Sequence, residues 1–144
     1  MGSRLFTEVR EKRGLCYAVG AAHKVYGPYG AVFGYLGSTP DNAQQALDVT
    51  LDEFRKLAGG ITQDELDRAK VGLRASLIMQ GESTAARAAS CAYDMFRLGR
   101  VRPLEEIENA VLSLTVDDVM RYARRYAPKE FAIATIGPAA LHAC

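Results

Sequence analysis

Residues 3–19 read SRLFTEVREKRGLCYAV, and the change of character at Gly14 decides how the rest of the chain is parsed. Before Gly14, the apolar residues Leu5, Phe6 and Val9 recur at helical spacing behind Ser3, a good capping residue, which predicts a helix over 3–13. Gly14 then suits the left-handed position at which helices end. Beyond it, 15–26, LCYAVGAAHKVY, carry the small and β-branched residues of a strand. GPYG at 27–30 signals a turn, and 29–38, YGAVFGYLGS, alternate as a second strand, so a hairpin is predicted. Gly20, Gly30, Gly34 and Gly37 weaken these strands or let other backbone come close.

Helices dominate the remainder. Thr39-Pro40 opens one that runs to Ala58 and stops at Gly59-Gly60, proline being suited to the first helical position. TQDE at 62–65 is a capping box, with Thr62 as N-cap and Glu65 three residues on. The helix it starts is expected to bury Leu66, Ala69, Leu73 and Leu77 and to show Arg68, Lys70 and Arg74 to solvent. A further helix spans Ser83 to Leu98, its Ala85, Ala88, Ala89 and Ala92 small enough for close packing on a neighbour. Pro103 starts another, ending near Leu114, and Thr115 caps a last one to about Tyr126. FAIATIG at 131–137 is apolar on both faces and is expected to form a central, covered strand, and 139–144 to form a tail. With no regular βαβ alternation, the order predicts an α+β domain over 1–138, an antiparallel sheet with helices packed on one face. Three strands are few for so many helices and the chain opens on a helix. Both points lead to the expectation that the first strand of the domain is missing.

The 144 residues suit one domain, and 49% hydrophobic with 24% charged residues is an ordinary globular composition. A net charge of +1 and the lack of a basic stripe interleaved with aromatics give nucleic-acid binding no support. No apolar run approaches the roughly 20 residues that span a bilayer, so no membrane partner is expected. Cys16, Cys91 and Cys144 include no CxxC pair, which leaves a disulfide framework or a cysteine metal site unsupported. The two histidines, His23 and His142, lie in neither HExxH nor HxxEH, and no zinc site is expected from this chain alone. No GxSxG, GxGxxG or GxxxxGK[ST] is present either.

Arg10 and Tyr17 remain. One reading makes them a solvated helix residue and a half-buried strand residue. The other notes that Arg10 lies four residues after Phe6 and borders the apolar stripe. A helix ending at Gly14 and running straight into a strand brings its last turn near Tyr17. A guanidinium and a phenol, both donors, could then point into one space and meet a carbonyl oxygen or an oxyanion developing on it.

The stretch SRLFTEVREKRGLCYAV resembles the C-terminal domain of the M16 zinc metallopeptidases, the family of pitrilysin, insulin-degrading enzyme (insulinase) and mitochondrial processing peptidase. It looks closest to the short bacterial processing-peptidase-like members. The likeness continues through YGAVFGYLGSTPDNAQQAL, GITQDELDRAKVGLRASLIM, ESTAARA, LTVDDVMRYARRY and FAIATIGP. The resemblance implies two similar α+β halves facing each other across a chamber. It implies zinc and a general-base glutamate on the other half, which is expected to be missing here. Arg10 and Tyr17 match the arginine and tyrosine by which the zinc-free half approaches the substrate carbonyl. Its implied partners are a peptide substrate and the zinc-binding half or partner subunit. The chain is expected to be a fragment or truncated product that is inactive alone, soluble in a bacterial cytoplasm or periplasm, and homodimeric through its bare sheet edge. A non-catalytic assembly subunit of the same fold is the alternative.

Overall fold

The computed structural model describes residues 3–142, which fall into two compact units. One runs up to Gly60 and resumes at Ala123; the other spans Ile61–Tyr122. In the first, β1 (Ala18–Tyr26) and β2 (Tyr29–Gly37) form the expected antiparallel hairpin about Gly27-Pro28, in register from Ala18 opposite Gly37 to Tyr26 opposite Tyr29. Side chains alternate across the sheet, so its faces follow from one contact. A β-carbon on Gly34 would meet the Phe54 ring at 2.9 Å, which marks the Gly34 face as the one toward α1 (Ala43–Lys56). Val19 and Leu36 share that face and pack on the core. Phe33, Tyr35 and Gly37 lie on the opposite face with Ala18 and Gly20.

Leu5, Val9, Leu15, Cys16 and Ala46 form that core, with Val19, Leu36, Val49 and Phe54 packed around it. Leu5 and Val9 come from the opening helix, whose residues Phe6–Glu11 are wound as a π-helix and not as the α-helix the spacing predicted. Ser3 Oγ accepts the Phe6 N–H at 3.3 Å, the expected cap. At the other end Gly14 takes φ 62, and its N–H and that of Leu15 donate to the carbonyls of Arg10 and Val9, both at 3.0 Å. These are the paired bonds of a Schellman ending, each reaching one residue further back, as the wider π-turn requires.

The strand expected over 131–137 does not form. Among the described residues the sheet is β1–β2 alone, and Phe131–Gly137 has no strand pairing. A segment apolar on both faces becomes a central strand only between two neighbours in a sheet covered on both sides, and a lone hairpin supplies neither condition. Phe131 instead packs on Phe54, ring centroids 6.2 Å apart, with the Arg55 guanidinium over it at 5.6 Å.

The second unit holds α2 (Gln63–Glu82), α3 (Thr84–Leu98), α4 (Leu104–Ser113) and most of α5 (Val116–Arg125). The capping box at α2 is complete: Glu65 N–H donates to Thr62 Oγ1 at 3.2 Å and Thr62 N–H to Glu65 Oε2 at 2.8 Å. Thr115 and Asp118 repeat the device at α5. The burial expected of α2 is corrected. Leu66 is buried and Leu77 half-buried, but Ala69 and Leu73 are exposed. The reason is that α4 lies along the row of Leu66, Lys70, Arg74 and Gly81. Lys70 donates to the Leu112 carbonyl at 2.9 Å, Arg74 pairs with Glu108 at 2.7 Å, and Leu104 approaches Gly81. On α3, Ala85, Ala88, Ala89 and Ala92 are likewise exposed.

Candidate functional site

Val9 is fully buried and Cys16 nearly so, and the next residue after each, Arg10 and Tyr17, faces solvent; Tyr17 is 68% exposed. The core thus holds the backbone on either side of the Gly14 turn while the two polar side chains project from it. Of the three basic residues from Arg10 to Arg13, Lys12 and Arg13 are occupied. Both bond the Glu8 carboxylate, at 2.6 and 2.9 Å, and those bonds hold it below the usual glutamate range. Arg10 forms no ion pair among the described residues. Its guanidinium lies over the Phe6 ring, 5.1 Å from the centroid, which orients the group without neutralising it. Burial pushes the Cys16 thiol up, and the Arg10 charge draws it part of the way back. Arg10 is therefore within electrostatic reach of the residue adjoining Tyr17, although no hydrogen bond joins Arg10 and Tyr17 themselves.

The Tyr17 N–H donates to the Gly37 carbonyl at 2.9 Å, which ties the residue to the end of β2. Its ring lies against Gly37 on the sheet face away from α1, so that a β-carbon on Gly37 would stand 2.7 Å from ring atoms. The phenol oxygen makes no hydrogen bond among the described residues. The arrangement is a permanent cation and a neutral donor, both exposed and neither engaged by a carboxylate, suited to the oxygen of a carbonyl or to an oxyanion. Sequence reasoning singled out Arg10 and Tyr17 as candidates but not the contact between Tyr17 and Gly37, for which the only signal was glycine recurring among aromatics in YGAVFGYLG.

Zinc, implied by the family resemblance, finds no fit among the described residues. No three His, Cys, Asp or Glu side chains gather there. His23 sits exposed in β1 facing Gly30, and the backbone of His142 is held at both its N–H and its C=O by the Gln44 side-chain amide, at 3.0 and 2.7 Å. No described helix is long and apolar enough to cross a membrane.

The family model described as the peptidase M16 inactive domain matches residues 1–73. An uncharacterized zinc protease of Rickettsia felis is 30% identical over 138 residues, which are 96% of this chain and 34% of that protein. The chain thus spans about a third of the length of the curated relatives it matches. The crystal structure of a peptidase M16 inactive domain from Pseudomonas fluorescens superposes with a TM-score of 0.75 at 30% identity, covering 86% of this chain and 30% of the other. A chain of complex III2 from Candida albicans shares the fold, with a TM-score of 0.73 at 19% identity over 87% of this chain and 30% of that one.

Proposed function

This chain belongs to the family of peptidase M16 inactive domains, and from that premise we propose that it is the substrate-positioning half of a zinc metallopeptidase. By itself it hydrolyses no peptide. The metal chemistry of the complete enzyme belongs to groups outside the described residues, on a partner half of the same protein or of a second subunit. The substrate is a peptide. Arg10 holds its backbone carbonyl, and the Tyr17 O–H donates to the carbonyl oxygen as negative charge grows there. A donor fixed before the reaction stabilises that charge more than it stabilises the ground state, so it raises turnover more than binding. The observation that carries this reading is the pair itself: Arg10 and Tyr17 stand on either side of one glycine turn, backed by the same core, and among the described residues neither polar end has a hydrogen-bond or ion-pair partner, the Arg10 guanidinium resting only on the Phe6 ring. The chain is further proposed to associate as a homodimer through the free edges of its hairpin.

Kinetics of the complete protein, in which this chain is joined to or mixed with its metal-bearing half, test the assignment. Tyr17→Phe is expected to lower kcat by roughly a hundred- to a thousand-fold with KM little changed. Arg10→Ala is expected to raise KM and lower kcat together. Normal kinetics in both variants would return the two residues to ordinary surface roles and favour an assembly subunit.

A further inference from the structure

Gly37 has no conformational reason to be glycine. It is the last residue of β2 and is not among the glycines with positive φ, so any side chain could adopt its backbone. A glycine inside a strand also loses side-chain packing that another residue would supply. What distinguishes the position is the space above it. A β-carbon there would lie 2.7 Å from Cε2 and Cζ of Tyr17 and 2.8 Å from its hydroxyl oxygen, distances that real β-carbons do not tolerate. The phenol occupies the volume that a side chain would fill, and its oxygen is within that volume.

We propose that Gly37 is a positioning residue for Tyr17: the absence of a side chain lets the phenol lie flat on the end of β2, which fixes where its O–H points. The proposal rests on the role given to Tyr17 above. The main-chain bond from Tyr17 N–H to Gly37 C=O sets the first point of the alignment, and the ring-on-glycine contact sets the second. Two fixed points define the direction of a rigid ring, whereas an exposed tyrosine at a strand's start would otherwise rotate about its first side-chain torsion. With a methyl group at Gly37 the ring must swing away, carrying the hydroxyl with it. An internal control is built into the same face. Gly20 lies under Tyr35 in the same way, a β-carbon there meeting Tyr35 Cε1 at 2.8 Å, and Tyr35 has no role in the proposed chemistry.

The test combines kinetics of the complete protein with proton NMR of this chain. Gly37→Ala is expected to lower kcat by about the factor seen in Tyr17→Phe, on the order of a hundred-fold or more, with KM unchanged. The double variant should lose nothing further, because both changes act through one hydroxyl. Gly20→Ala, which crowds Tyr35 equally, should keep kcat. In the unmodified chain, ring current from Tyr17 should shift the Gly37 α-protons upfield, and Tyr17→Leu should abolish the shift. Four results overturn the proposal: normal kcat in Gly37→Ala where Tyr17→Phe has lost it, further loss in the double variant, equal loss in Gly20→Ala, or unshifted Gly37 α-protons. The last decides the matter even if Gly37→Ala fails to fold. A normal kcat in Tyr17→Phe instead overturns the role of Tyr17 itself, and the catalytic use of Gly37 with it, whatever the resonances report about the contact.

Discussion

At Gly14 the backbone takes φ 62, and a β-carbon placed there would meet nothing within 4 Å. Gly14→Ala therefore carries no steric clash with neighbours and only the intrinsic cost of a left-handed conformation for an L-residue, about 1–2 kcal/mol. Chemical denaturation should show that loss with an unchanged slope; an unaffected midpoint would mean that the turn is not held in this conformation in solution. The same residue explains why Arg10 and Tyr17 were legible together. A helix stop is a local device, and once Gly14 is placed, the residues flanking it are near each other for any helix running into a strand. Gly37 was not legible for the complementary reason: its contact with Tyr17 depends on strand register across a hairpin, and several glycines in YGAVFGYLG were equally eligible.

At the scale of elements, what could be read from the sequence was what local chemistry determines. Ser3, the Thr62–Glu65 box, Pro103 and Thr115 each start a helix where expected, since a cap needs only residues three apart. Packing was less accessible. Leu73 and Ala69 carry the helical period but lie off the row that α4 covers, and 131–137 has strand composition without strand neighbours. The π-winding of Phe6–Glu11 leaves no mark on composition at all. One link between elements was also invisible: buried Asp94 of α3 accepts three bonds from Arg102, at 3.0 Å from the backbone N–H and 3.0 and 2.6 Å from the guanidinium. The Arg102 bonds hold the Asp94 carboxyl below the usual aspartate range. A carboxyl depressed in the folded state binds fewer protons there than in the unfolded chain, so its contribution is present above the unfolded pKa and disappears as pH falls through the folded one. Asp94→Asn should therefore lower stability at neutral pH and flatten the decline of melting temperature from about pH 5 downward. Parallel acid profiles for the two proteins would show that the bond network contributes nothing.

For the whole molecule, the hairpin is the feature with the largest consequence. Both of its strands are edge strands among the described residues, and a two-stranded sheet is marginal by itself. Unpaired N–H and C=O groups along β1 and β2 favour the addition of another strand, and two copies related by a two-fold axis satisfy each other. Sedimentation equilibrium across a dilution series should accordingly show a dimer at micromolar concentration. A monomer of 15.7 kDa throughout would mean that the edges are shielded within one chain.

The central claim is that Arg10 and Tyr17 act on one carbonyl, and a double-mutant cycle on kcat/KM in the complete protein tests it most directly. Residues that serve a single group are coupled, commonly by about 0.5–3 kcal/mol, so the loss in Arg10→Ala with Tyr17→Phe should fall short of the product of the single losses. Losses that multiply independently, or single variants that cleave peptide at the unmodified rate, would contradict the account.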